Sequence, residues 1–202
     1  MHRLRIRENS LRQNPEEPSM KTIIRKRFPI LLLAAVLCLF LGGCGAKSLD
    51  LNALRQSDGS YDFADIPLGS SVEEAAKALG VSLKEPAYQH DGTDVYQAEG
   101  PYSLDGKKLK VTLEFTDDGL QMISFFSEAA EGVYDALYEK LTAAYGEPDE
   151  VIDSSGEAMG KNLTSQGAQW IAEGEPSTQL ILVLITSDSG STSLSIRVGY
   201  GL

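Results

Sequence analysis

Leu109-Lys110-Val111-Thr112-Leu113-Glu114-Phe115 alternates between apolar and polar residues, and Thr116-Asp117-Asp118-Gly119 follows it directly. Alternation with period two puts Val111, Leu113 and Phe115 on one face of a strand and Lys110, Thr112 and Glu114 on the other. The Asp-Gly pair marks a tight turn, so Leu120–Ser127 is expected to return as the antiparallel partner. Working outward, Asp94–Glu99 reads as an earlier strand, with Asp105-Gly106 as the turn between. Towards the C-terminus, Ala168–Ala172, Thr178–Thr186 and Thr192–Tyr200 read as three more. Leu180 to Ile185 is apolar on both faces, which suits a central strand. In the last strand Leu194, Ile196 and Val198 face inward, opposite Ser195 and Arg197. Gly156 to Gln166, polar and containing Gly and Ser, reads as a loop.

Two helices interrupt the strands. Val72, Ala75, Ala76 and Leu79 recur at helical spacing behind a capping box, Ser71 with Glu74 or equally Ser70 with Glu73, and Gly80 ends the run. Tyr134, Leu137, Tyr138, Leu141 and Tyr145 form a second stripe over Glu131 to Tyr145, stopped by Gly146 and Pro148. An aromatic stripe at this spacing is read as core. The two stops lie 66 residues apart. One helix followed by three strands, twice over, predicts an α+β fold of tandem α-β-β-β units with antiparallel sheet and helices on one face. The expected repeats are 61–128 and 129–202 of an exported domain spanning 61–202.

The N-terminal part is organised differently. Lys21-Thr22-Ile23-Ile24-Arg25-Lys26-Arg27 is basic, and an unbroken apolar run extends from Ile30 to Leu41. Such a run spans about 18 Å as a helix, short of the ~30 Å hydrocarbon core, and so matches the apolar region of a signal peptide. Its end, Leu41-Gly42-Gly43-Cys44, resembles the lipobox of bacterial lipoproteins. That resemblance implies removal of residues 1–43 as a signal segment, lipid on the Cys44 sulfur and attachment to the membrane through it, outside the cytoplasm. Met1–Ser19 fits no signal pattern, and Met20 opens a signal peptide of ordinary proportions, so Met20 is a candidate start. Residues 44–60 are expected to be a polar tether.

Charge divides at the same place. Residues 1–43 hold eight Lys/Arg and three Asp/Glu, whereas the remainder holds 10 and 26. An ectodomain this acidic repels polyanions, which argues against nucleic acid as a partner. Cys38 falls in the apolar run and Cys44 in the lipobox. They are the chain's two cysteines, so the exported part has neither an internal disulfide nor a thiol nucleophile.

Ile66-Pro67-Leu68-Gly69-Ser70-Ser71-Val72-Glu73-Glu74, closing on Ala78-Leu79-Gly80, resembles the opening unit of the small outer-membrane assembly lipoproteins. The β-lactamase inhibitor proteins share that kind of α+β unit. Tyr145-Gly146-Glu147-Pro148 with the later Trp170 is similar to a helix-then-tryptophan pattern of exported lipoproteins. The resemblance implies a non-enzymatic module that binds protein or peptide.

Residues for chemistry are sparse. The exported part has one histidine, His90, in a loop-like stretch, and no G-x-S-x-G, S-x-x-K, H-E-x-x-H or phosphate-binding glycine loop. Asp58, Asp62 and Asp65, Asp91 and Asp94, and Asp117 and Asp118 cluster without forming a calcium loop, and turn chemistry accounts for Asp91-Gly92 and Asp118-Gly119 equally well. No catalytic residue, metal or cofactor is assigned. Alternative readings are an envelope hydrolase with a carboxylate pair and a purely structural envelope lipoprotein. One helix per three strands leaves sheet surface bare, where Lys110, Thr112, Glu114, Ser195 and Arg197 would show. Tyr96, Tyr102, Trp170 and Tyr200 are the candidate partner anchors there, or else core residues.

Overall fold

The strand alternation is realised as a single sheet. In the computed structural model, which describes residues 46–129, 132–158 and 160–201, nine strands form one sheet. They are β1 (Lys47–Ser48), β2 (Tyr88–His90), β3 (Thr93–Leu104), β4 (Lys107–Thr116), β5 (Gly119–Glu128), β6 (Glu150–Ala158), β7 (Lys161–Ala172), β8 (Thr178–Ser187) and β9 (Thr192–Tyr200). Two helices accompany them, α1 (Val72–Leu79) and α2 (Val133–Tyr145). The spatial order is β1-β3-β4-β5-β9-β8-β7-β6, with β2 also on β3. Neighbours are antiparallel except β1, which lies parallel to β3.

The α+β expectation is therefore corrected. Strands take 51% of the structure and helices 16%, in one nine-stranded mixed sheet. The misreading has a local cause. Gly156 to Gln166, expected to be loop, lies within the β6–β7 hairpin, where nine residue pairs hold register from Glu150↔Gln169 to Ala158↔Lys161. Its Ser, Thr and Gly residues carry no apolar alternation because most are exposed, and backbone pairing with a few side-chain bonds, Asn162 to Asp188 and Thr164 to Thr186, sustains the strands. The two helices fall where expected, but strands outweigh them and irregular chain does part of the covering. Leu49, Leu51, Leu54, Tyr61, Phe63 and Ile66 are buried in the same cluster as Ala75 and Leu79 of α1 and Tyr134, Leu137 and Leu141 of α2.

That segment also moves the start of the fold. The packed unit begins at Ala46, so most of the expected tether is structural. A 3-10 turn at Leu51–Ala53, capped by the Asp50 carboxylate on the Asn52 N–H at 3.0 Å, carries Leu51 into the core. The expected signal segment, Met20 and Cys44 all lie outside the described residues.

Other local features match their sequence signals. Ser71 and Glu74 form the reciprocal capping box and Gly80 closes α1 in the left-handed conformation. Asp105 and Gly106 both take positive φ, 49° and 77°, as a tight turn of this type requires. The glycine of the Asp118-Gly119 turn has a second role. Gly119 has φ 94°, and its backbone faces the carbonyls of Gly69 and Ser70 so closely that a Cβ would collide with them. The Gly69 N–H donates to the Leu120 carbonyl at 2.8 Å and the Leu120 N–H to the Ser70 carbonyl at 2.9 Å. The stretch leading into α1 is thereby stitched to the β4–β5 turn.

Candidate interaction face

Register sorts the sheet's residues into two faces. On one, Leu113 pairs with Ile123, Ile123 with Val198, and Val198 with Leu180, while Leu180 faces Trp170. These residues join the helices and the segment from Leu49 to Ile66 in the hydrophobic cluster. On the other, Lys110 pairs with Phe126, Phe126 with Ser195, Ser195 with Val183, Val183 with Gly167 and Gly167 with Ile152. The next row runs Thr112, Ser124, Arg197, Ile181, Gln169, Glu150. All five polar residues expected on a bare face, Lys110, Thr112, Glu114, Ser195 and Arg197, fall on this side, but Thr112 and Ser195 are buried between taller neighbours.

The expected aromatic anchors do not. Trp170 is 1% exposed, and Tyr102 and Tyr96 are buried with it. The Trp170 indole N–H donates to the Gly146 carbonyl at 2.8 Å, and its ring lies 6.3 Å from Tyr138. It pins the end of α2 to β7, which gives the helix-then-tryptophan pattern a packing role. Tyr102 sits edge-on to Phe63 and Phe125. Its hydroxyl donates to Asp65 at 3.0 Å, and burial above all, then that carboxylate, pushes its pKa well above the usual tyrosine value. Tyr200 is half-buried and its carbonyl accepts from the Gln179 side chain at 2.8 Å. Tyr96, Tyr102 and Trp170 are thus enclosed in the core, while Tyr200 keeps partial exposure on the covered side of the sheet.

What that face offers instead is Phe126. Half-buried on β5, it lies beneath the Arg197 guanidinium, 5.9 Å from the ring centre. Two adjoining depressions share Phe126 and Lys110. One is completed by Lys107, Lys108, Ser127, Glu128, Thr192 and Ser193, the other by Gln97, Ala98, Glu99, Val111 and Thr112. An apolar centre inside a charged rim is the usual anatomy of a protein contact surface. The signal was available in the sequence. Alternation sends Ile123 and Phe125 inward, and Phe126 is the large aromatic on the opposite phase of β5. Further along the same face Ile181 is half-buried and Ile171 is 40% exposed.

The acidic clusters are engaged separately. Asp58 accepts from the Ser60 N–H and hydroxyl at 3.0 and 2.6 Å, which lowers its pKa, Asp62 from the Phe63 and Leu68 N–H groups, and Asp65 from Lys47 and Tyr102. Among the described residues no group of three or more His, Cys, Asp or Glu is placed to hold a metal ion. His90 stands exposed on β2, its ring stacked 6.1 Å from Tyr88. A further depression at the β8–β9 turn contains Ser187 and Ser191, whose hydroxyls bond each other at 2.6 Å. Among the described residues no helix is long and apolar enough to cross a membrane. Compared with protein-family models, with curated proteins and with solved structures, the chain matches none.

Proposed function

We propose that the chain is a lipid-anchored, extracytoplasmic, non-enzymatic binding module that presents its bare sheet face to a protein or peptide partner. One observation carries the reading: Phe126, large and apolar, stands half-buried on the solvent side, with Lys107, Lys108, Lys110 and Arg197 around it outnumbering Glu99 and Glu128. Side chains of this kind on an uncovered face lose water contact only when something docks. The basic rim, set in a region with 26 acidic and 10 basic residues, favours a partner surface carrying carboxylates. Anchoring rests on the lipobox resemblance at Leu41–Cys44.

Two measurements test the two halves. Cys44→Ser should abolish lipid labelling and detergent partitioning. Unchanged partitioning would refute the anchor. A photo-crosslinking residue at position 126 should give a discrete adduct on intact cells, and one at Asp135, exposed on α2, should not. With that partner purified, Phe126→Asp should weaken capture at least tenfold, about 1.4 kcal/mol, with little change in melting temperature. Equal adducts from both positions would refute the face.

A further inference from the structure

The two edges of the sheet are treated differently. Natural edges are blunted by short strands, proline, charged side chains, bulges or a covering segment. The β3 edge has several of these. β1 runs along Tyr102 and Ser103, β2 along Thr93 to Val95, and the register slips between Glu99 and Ser103. Among the described residues the β6 edge has only charge. Its nine residues pair with β7 in one unbroken register, contain no proline, and have no strand on their other side among the described residues. An antiparallel strand with a single neighbour leaves alternate N–H and C=O groups pointing away from the sheet, ready to pair.

What β6 does carry is charge of one sign. Glu150, Asp153 and Glu157 are exposed, and Val151 between the first two is 65% exposed. Two copies laid edge to edge would set carboxylate against carboxylate, which is unfavourable. Alternation sends Val151, Asp153, Ser155 and Glu157 to one side of the strand. An incoming strand is thus offered an apolar contact and two negative charges in a fixed spacing.

We infer that β6 is a strand-addition site for an extended segment of a partner protein. Its Lys or Arg residues, spaced as Asp153 and Glu157 are, meet those carboxylates, and an apolar side chain two residues beyond them lies against Val151. Main-chain hydrogen bonds supply affinity, and these side-chain positions supply selection. The site is independent of the face around Phe126, which belongs to β4, β5 and β9.

The test uses the protein as purified from cells and a synthetic peptide as long as β6, alternating threonine with lysine and one isoleucine in the required spacing. Binding should slow hydrogen exchange at β6 amides and leave β4 and β5 unaffected. The same peptide with N-methylated backbone on its pairing edge should bind at least tenfold more weakly, as should the original peptide to D153K/E157K. That double variant should in turn take up a peptide with glutamate in place of lysine. Equal binding of the N-methylated peptide would overturn the proposal by showing charge attraction alone. Absence of binding would overturn it too. So would sedimentation of the protein alone as a dimer with β6 amides already protected, since the occupant would then be a second copy.

Discussion

Along β5, Ile123 and Phe125 point to one face of the sheet and Ser124 and Phe126 to the other. Ile123 and Phe125 are buried by large neighbours in the shared cluster. Ser124 is just as inaccessible, at 1%, yet register puts it on the opposite face, with Thr112 and Ser195. Its short side chain sits low between Thr112 and Arg197 across the strands and Met122 and Phe126 along its own. Glycines extend the pattern, with Ile152 close over Gly167 and Met122 close over Gly199. The comparison separates two kinds of burial. One comes from a covering layer and is energetic, the other from small residues under taller ones and leaves the face open.

Truncating the covered side should have the largest effect. Trp170→Ala and Leu141→Ala should each lower the unfolding free energy by ~3–5 and ~2–5 kcal/mol respectively in urea titrations, because both residues are fully enclosed. Phe126→Ala, on the open side, should cost about 1 kcal/mol or less. Comparable losses on both sides would end the distinction.

Gly119→Ala should follow, at roughly 2–3 kcal/mol, since a side chain there needs positive φ and meets the Gly69 carbonyl. It would unstitch the stretch preceding α1 from the sheet. A thermal melt within a degree of the parent would show that the contact is dispensable.

Thr142 has the opposite sign. Its hydroxyl on α2 is buried without a hydrogen-bond partner, so Thr142→Val should raise stability by ~1 kcal/mol. A loss would mean that the hydroxyl has a partner after all.

Smaller still is the acid response of α1. The Ser71 N–H and hydroxyl donate to the Glu74 carboxylate at 2.9 and 3.0 Å, and these bonds, the backbone one first, hold its pKa below the usual carboxylate range. A depressed folded value adds stability above the ordinary glutamate pKa of about 4.3, and that stability is lost as pH falls through the lower folded value. Glu74→Gln should flatten this part of the acid titration while keeping a neutral cap. An unchanged slope would assign the acid loss to other carboxylates.

The smallest change is expected at Gly156, where an added Cβ meets open space and φ is unremarkable. Gly156→Thr should stabilise β6 by about 0.5 kcal/mol, detectable as slower hydrogen exchange in the β6–β7 hairpin.

Several features were legible in the residues because they depend on neighbours in the chain. The β4–β5 hairpin, the Ser71–Glu74 cap, the end of α1 at Gly80, the apolar stripe of α2 and the polar phase Lys110, Thr112, Glu114 all follow from local periodicity and turn chemistry. Phe126 could have been found the same way, as the aromatic on the wrong phase of its strand.

Other features came only from contacts between distant segments. The β6–β7 hairpin has little apolar alternation to announce it, since its stability comes from pairing with β8 through β7. Leu49, Leu51 and Leu54 lie in a polar stretch, and the cluster formed by strands and helices far along the chain makes them core. Trp170 has the composition of an anchor for a partner, and burial against α2 with the Gly146 carbonyl as its acceptor makes it structural. The unequal sheet edges arise the same way. Strand order places β1 and β2 along β3 and leaves β6 last, and no residue within β6 encodes that it will have a single neighbour among the described residues.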